Sequence, residues 1–146
     1  MEGCYYFGKC GGCSAQHIPY KQQLDNKKKV LEGITNTKVE VFSSCPYSYR
    51  NRMDLIFHQG GLGFREKGKW WKVIDLKNCA IANEKLNQLM QEVLDFFQDP
   101  DYFDLKRQTG TLRYAVIRTP TKTSSISFVL NANSTKIAEA VEKIKE

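Results

Sequence analysis

The sequence predicts an α+β fold: an antiparallel sheet with helices packed on one face, preceded by a cysteine-rich arm. Short runs in which apolar and polar residues alternate, separated by glycine-containing turns, predict paired strands over residues 50–75. Apolar residues that recur at helical spacing predict amphipathic helices on either side of these strands. Strands that follow strands along the chain, rather than alternating with helices, indicate α+β rather than α/β.

The first element after the arm is predicted to be a helix that begins near His17 and ends near Gly33. Pro19 suits its first turn, because proline lacks the N–H that a helix start leaves unpaired. This helix would carry an approximate apolar stripe formed by Tyr20, Leu24, Leu31 and Ile34. The segment after the helix, Lys38–Phe42, alternates in the manner of a strand.

The middle of the chain predicts an antiparallel meander of three strands. Its strands are Arg50–His58, residues 62–66 and Trp70–Asp75, joined by the turns "QGG" and "KGK". Neighbouring side chains on a strand point to opposite faces. One of Trp70 and Trp71 is therefore expected in the core, while the other could stack on a base or cover the sheet edge.

The second half predicts one helix, two strands and a last helix. Asn83 is the candidate N-cap of the first of these helices. The strands are Leu112–Thr119 and Ser125–Asn131, joined by "PTKTS". The helix after Asn83 has its apolar residues at Leu86, Leu89, Met90, Val93, Leu94 and Phe97, and the last helix has them at Ile137, Ala140, Val141 and Ile144.

Composition limits the class of protein and of partner. A chain of 146 residues fits one domain, or one domain with an appended arm. Its net charge of +6 suggests a polyanionic partner, namely RNA, DNA or an anionic membrane. The sequence has no apolar run of the roughly 20 residues that span a bilayer, and no apolar signal-peptide core. We therefore expect a cytoplasmic protein.

Three of the five cysteines lie within ten residues, as Cys4, Cys10 and Cys13 in the spacing C-x5-C-G-G-C. In a reducing compartment, clustered cysteines more often bind metal than form disulfides. Gly11 and Gly12 allow the backbone to curl tightly around a common centre. The arm therefore predicts three ligands of a metal centre.

The residues alone leave the identity of the fourth metal ligand undecided. Cys79 lies in an irregular segment before a helix, Cys45 lies in a loop before Pro46, and His17 is a further conceivable ligand. Zinc sites are usually built from two close cysteine pairs, whereas here three ligands are local and one is distant. This grouping favours a [4Fe–4S] cluster over zinc.

Four blocks of the sequence resemble one family, in the same order. "FGKCGGCSAQHIPYKQQLDNKK", with Cys4 before it, resembles the start of the iron–sulfur-containing RNA (uracil-5-)-methyltransferases, which act on 23S rRNA or tRNA. "PYSYRNRMDLIFHQGGLGFRE", "VIDLKNCAIAN" and "LRYAVIRT" resemble the blocks that follow. The resemblance implies a [4Fe–4S] cluster on Cys4, Cys10, Cys13 and Cys79, with Cys45 as a bystander.

Family members continue into a doubly wound domain that binds S-adenosylmethionine and supplies a nucleophilic cysteine and a general base. No segment of this chain matches these parts, so we expect no catalytic residue here and S-adenosylmethionine only through an absent catalytic domain. The resemblance implies residues 1–16 as the cluster-binding arm and residues 17–146 as a central RNA-binding domain that Cys79 joins to the cluster. Such a chain would recognise substrate RNA and would not be active alone.

Basic and amide residues on the predicted strands and turns are the candidate RNA contacts. They are Arg50, Asn51, Arg52, Arg65, Lys67, Arg113 and Arg118. Expected partners are ribosomal or transfer RNA and a separate or C-terminal methyltransferase domain. Methyl transfer needs no electron, so the cluster is expected to be a structural crosslink. The alternatives are a stand-alone iron–sulfur redox or sensor protein and a zinc-binding interaction domain.

Overall fold

The computed structural model describes residues 3–145, which form one five-stranded antiparallel sheet and three helices. This architecture confirms the predicted α+β class. In chain order the elements are α1 (Tyr20–Thr35), β1 (Arg52–His58), β2 (Gly61–Glu66), β3 (Lys69–Asp75), α2 (Glu84–Phe96), β4 (Leu112–Arg118), β5 (Ser125–Leu130) and α3 (Ile137–Lys145). No helix within residues 3–145 has the length and apolar character needed to cross a membrane.

The sheet has the order β3-β2-β1-β4-β5, so the meander predicted from the sequence forms one half of it. Two-residue loops join β1 to β2 and β2 to β3, as the pairs His58↔Gly61 and Glu66↔Lys69 show. Gly68 in the second loop has a φ of 76°, a conformation that favours glycine. The second half of the sheet begins where β4 pairs with β1, with Leu55 opposite Ala115.

The expectation that one of Trp70 and Trp71 is buried is wrong. The two indoles are 66% and 54% exposed, and their ring centroids lie 5.8 Å apart. The pairing of β2 with β3 shifts register between Arg65 and Glu66. Because a bulge re-aims the side chains beside it, simple alternation fails for the tryptophans next to this irregularity.

One face of the sheet, here called the inner face, carries the hydrophobic core against α2. Alternate residues of β1 are buried. Of the apolar residues that the helical periodicity predicts for α2 and its end, all are buried except Leu94, which is partly buried. The helix also begins where predicted, because the Asn83 side chain accepts a hydrogen bond of 2.8 Å from the Leu86 N–H. The core includes Met53, Leu55, Phe57, Leu62, Leu86, Met90, Val93, Phe97, Ala115 and Ile117.

Asn83→Ala is expected to lower the free energy of unfolding by about 1–3 kcal/mol. Asn83 caps α2 and also donates from Nδ2 to the hydroxyl of Thr119, 2.9 Å away, which is a buried residue just after β4. The substitution removes the cap and leaves that hydroxyl with weaker partners. Urea denaturation measures the effect, and Asn26→Ala, at an exposed position of α1, is the control. An unchanged denaturation midpoint for Asn83→Ala would contradict this role of the cap.

The region before β1 departs most from the prediction. α1 begins at Tyr20 rather than His17, and it continues past Gly33 to a left-handed cap at Asn36 with a φ of 52°. None of its residues is buried, so its apolar stripe does not pack on the sheet. The predicted strand Lys38–Phe42 is also wrong: this segment is irregular, because no neighbouring strand of the described chain pairs with it.

Candidate cysteine centre and basic surface

The cysteine-rich arm is attached to the end of β2 through backbone hydrogen bonds. The N–H of Gly11 donates to the carbonyl of Arg65 at 3.0 Å, and the N–H of Lys67 donates to the carbonyl of Lys9 at 2.7 Å. Between these bonds, Cys10 forms an isolated antiparallel bridge with Glu66. The arm therefore extends the sheet locally, and its thiols are positioned by the β2–β3 hairpin.

The segment that carries Cys79 is held by a side chain of α2. The Asn87 amide accepts a hydrogen bond from the Cys79 N–H at 2.9 Å and donates one to the Cys79 carbonyl at 3.2 Å. Cys79 is 7% exposed and belongs to the hydrophobic core. Asn87 therefore fixes the backbone at the position where a distant fourth thiol is expected.

The four cysteines predicted to act together line one small cavity between the arm and the start of α2. Cys4, Cys10, Cys13 and Cys79 share this cavity with Arg50 and with apolar side chains that include Tyr6, Phe7, Phe64, Leu76 and Ile81. Cys45, the alternative considered from the sequence, is exposed and does not line the cavity. His17 does not line it either, and its ring lies 5.7 Å from that of Phe7.

The electrostatics of the cavity disfavour free thiolates. Burial raises the pKa of the Cys10 thiol; a hydrogen bond from the Gly12 N–H opposes this rise, and the nearby Cys79 and Cys4 add to it. Burial likewise raises the pKa of Cys13, with Cys79 adding to the rise and Arg50 opposing it. Both pKa values are raised because the cavity walls are apolar and because several thiolates would bring like charges together.

Metal binding by these cysteines stays a prediction, and so does the identity of the metal. Within residues 3–145, no group of three or more His, Cys, Asp or Glu side chains has an arrangement that could hold a metal ion. A tetrahedral zinc ion would require sulfurs about 2.3 Å from the metal and hence roughly 3.8 Å from one another. A cubane cluster instead binds each thiolate to a different iron, so it accommodates four cysteines at wider spacing.

Arg50 lies beside the cysteines rather than in β1, although the sequence predicted that the strand begins at this residue. The strand begins two residues later than predicted, and Arg50 forms an isolated parallel bridge with Ala82. Its N–H donates to the carbonyl of Ile81 at 2.7 Å. The guanidinium therefore supplies positive charge to the cysteine cavity, and its role as an RNA contact stays a prediction.

Two other predicted RNA contacts face each other across β1 and β4. Arg52, the first residue of β1, pairs with Arg118, the last residue of β4, so both lie at the same end of the sheet. Arg52 is bound to Asp54 through two hydrogen bonds, Nε–Oδ1 at 2.8 Å and Nη2–Oδ2 at 2.9 Å. This ion pair and the neighbouring Arg118 lower the pKa of Asp54, while slight burial opposes the shift. Asp54 thus neutralises part of the positive charge.

The remaining predicted contacts lie in three places: a turn, the residue before β1 and a concave surface. Lys67 is in the exposed β2–β3 turn, and Asn51 precedes β1 with its carbonyl accepting from the Thr119 N–H at 2.8 Å. Arg65 and Arg113 line a concave surface that also includes both tryptophans. Sequence reasoning did not find this surface, since its residues come from five separate segments.

Comparison with known proteins places this arrangement in a protein family. Over 118 residues the chain is 39% identical to the tRNA (uracil(54)-C(5))-methyltransferase of Pyrococcus abyssi, covering 79% of this chain and 29% of that protein. It is 30% identical over 116 residues to the 23S rRNA (uracil(747)-C(5))-methyltransferase of Pyrococcus horikoshii, covering 79% of this chain and 28% of that protein. No protein-family model matches the chain.

The solved structures give the same result. The chain superposes on the crystal structure of the Pyrococcus abyssi tRNA (uracil-54, C5)-methyltransferase in complex with S-adenosyl-L-homocysteine, with a TM-score of 0.73 and 33% identity. This chain is a homologue of the RNA (uracil-C5-)methyltransferases. The methyltransferase resemblance found in the sequence is thereby confirmed at the level of the family.

The superposition covers 90% of this chain and 34% of the chain in the solved structure. The methyltransferase homologue thus spans about a third of the length of the relatives that it matches.

Proposed function

We propose that this chain is the substrate-RNA recognition and [4Fe–4S]-binding portion of an S-adenosylmethionine-dependent RNA uridine C5-methyltransferase. The observation that carries the proposal is the homology with tRNA and rRNA uracil-C5 methyltransferases over 79% of the chain. The matched region does not reach most of the length of these relatives. We therefore assign recognition to this chain and leave S-adenosylmethionine and the chemistry of methyl transfer to a methyltransferase domain, separate or C-terminal.

We propose two functional segments, residues 1–16 as the cluster-binding arm and residues 17–146 as the RNA-binding domain. The backbone bonds of the arm to Arg65 and Lys67 support a cluster that lies between the two segments. Four thiolates are a suitable donor set for a [4Fe–4S] cluster, and the proposed ligands are Cys4, Cys10, Cys13 and Cys79. Bound there, the cluster would act as a structural crosslink between the arm and the segment before α2.

RNA recognition explains the charge of the chain. The net charge of +6 suits a polyphosphate backbone, and arginine can fork to phosphate or stack on an exposed base. C5 of a uracil is reached only after the base leaves its stack, so a strong hold on the neighbouring nucleotides assists the reaction. The proposed contacts are Arg50, Asn51, Arg52, Arg65, Lys67, Arg113 and Arg118. An RNA-modifying role also favours a cytoplasmic location.

The relatives named above are methyltransferases, which favours this function over a stand-alone iron–sulfur redox or sensor protein.

RNA binding by the 146-residue chain tests the proposal. We expect the logarithm of the binding constant for a fluorescently labelled RNA hairpin to fall linearly with the logarithm of salt concentration. Arg118→Ala should reduce the slope by about 0.7–0.9 if the side chain contacts one phosphate. Fluorescence anisotropy at several salt concentrations measures both quantities.

Lys145→Ala is the matched control for charge, because Lys145 ends α3, which packs on the inner face of the sheet through Ile144. For Lys145→Ala, the slope of the logarithm of the binding constant against the logarithm of salt concentration should equal that of the unmodified chain. Binding that does not depend on salt, or no binding at low salt, would argue against RNA recognition.

A further inference from the structure

The face of the sheet opposite the core carries a concave site, here called the aromatic pocket. Strands β1 to β4 form its floor, and residues 102–106 form one wall. Its lining includes Arg65, Trp70, Trp71, Phe103, Arg113 and Tyr114. Large aromatic side chains on a solvent-facing sheet leave apolar area in contact with water, which marks a surface for binding.

The two tryptophans offer flat apolar surfaces in two directions. Their rings are nearly perpendicular, at an interplanar angle of 86°, and both are more than half exposed. Arg65 holds the strand beneath them, since its guanidinium donates to the carbonyl of Trp70. The indoles therefore have a fixed support, and a planar ligand can stack on them without first ordering the strand.

The opposite side of the aromatic pocket presents a flat cation. The Arg113 guanidinium lies 4.5 Å from the centroid of the Phe103 ring. Such a cation–π contact keeps the guanidinium plane in position while its remaining N–H groups stay available to an anion. Arg113 can thus serve as a stacking surface or as a phosphate donor.

The charges around the aromatic pocket favour a polyanion. Arg65, Arg113 and Lys106 are cationic, and Asp104 is the acidic residue among those that line it. The Asp104 carboxylate already accepts hydrogen bonds from the backbone N–H groups of Lys106 at 2.7 Å and Arg107 at 3.1 Å. Both bonds go to Oδ1, and Oδ2 lies 4.0 Å from the Arg107 Nε, so Asp104 offsets positive charge mainly within its own turn.

We propose that the aromatic pocket receives an unpaired nucleobase of RNA, which stacks on the tryptophan rings while Arg65 and Arg113 contact the adjacent phosphates. This inference rests on the proposed function, in that it assumes an RNA ligand, and it specifies how that RNA is held. Stacking requires access to the face of a base, and only an unstacked base of a single strand, loop or bulge exposes both its faces. Aromatic faces beside cations are the usual means of binding such bases.

Tryptophan fluorescence gives a direct test, because Trp70 and Trp71 are the two tryptophans of the chain. We expect a single-stranded oligouridine of eight nucleotides to quench the emission of the 146-residue chain on binding. An RNA duplex of equal length should quench far less. Trp71→Ala should weaken binding of the single strand roughly ten- to hundredfold, and Trp71→Phe should restore part of it. Phe42 is an exposed aromatic residue outside the aromatic pocket, so the Phe42→Ala variant should bind the single strand like the unmodified chain.

Oligouridines with abasic sites separate this inference from the proposed function. They keep the phosphates and remove the bases, so we expect weaker binding and little quenching. Equal affinity for the abasic and normal strands would overturn base stacking and leave RNA binding in place. Failure of every RNA to bind would overturn both. Quenching caused by self-association of the chain, seen by sedimentation without RNA, would assign the aromatic pocket to a second copy and overturn the inference.

Discussion

Cys79→Ser is expected to abolish iron–sulfur binding by the chain and to lower its thermal stability. Cys79 lines the cavity shared with Cys4, Cys10 and Cys13, and it is 7% exposed in the hydrophobic core. A serine hydroxyl has nearly the same size but is a hard oxygen donor, poorly suited to iron–sulfur chemistry. Because a cluster that binds the folded chain adds its binding free energy to stability, its loss should be visible in unfolding.

Iron and sulfide analysis of anaerobically purified protein measures the effect. The unmodified chain should carry about four irons and four sulfides, and Cys79→Ser should carry few of either. Cys45→Ser is the matched control, since Cys45 is exposed and lies outside the cavity. It should keep the full cluster. Full iron content in Cys79→Ser, or one zinc per chain in the unmodified protein, would refute the proposed cluster.

Phe97→Ala is expected to lower the free energy of unfolding by about 3–5 kcal/mol. Phe97 follows α2 and is 4% exposed. Its ring centroid lies 5.3 Å from that of Phe57 in β1 and 5.2 Å from that of Phe128 in β5. Removing the ring leaves a cavity where the helix meets both halves of the sheet, and the rigid aromatic neighbours can fill it only in part.

Equilibrium unfolding in urea gives this value. Phe42→Ala is the control of the same chemistry, because Phe42 is 84% exposed and should change stability by less than about 0.5 kcal/mol. Similar values for the two substitutions would mean that the aromatic cluster does not stabilise the fold as its contacts indicate.

The elements that the sequence predicted well are those with strong local signals. The meander follows from alternation and two short turns, one of which contains Gly68 in a left-handed conformation. The start of α2 follows from Asn83, whose cap acts within three residues. The segment Lys38–Phe42 has the same alternation as the meander strands, yet it forms no strand because no partner lies beside it. Alternation indicates a half-buried surface and does not supply the partner that buries it.

The candidate sites also combine features that have a local sequence signal with features that distant segments bring together. The spacing of Cys4, Cys10 and Cys13 suggested a common centre, since ligands close in sequence need only a tight local turn. Cys79 was one of three candidates for the fourth ligand, and only the family resemblance selected it; the structure brings all four cysteines to one cavity. The aromatic pocket was missed because a register shift and a distant loop, neither of which has a sequence signal, bring its residues together.

Local sequence signals were sufficient to predict the α+β class, the meander, the cap of α2 and the crowding of three thiols in the arm. Each depends on interactions between residues only a few positions apart, which any local stretch of chain encodes. Three outcomes could be read only from the folded chain: Arg50 lines the cysteine cavity, α1 buries none of its residues, and Trp70 and Trp71 are both exposed. These outcomes depend on which distant segments pack together, and burial is a property of that packing rather than of the residue.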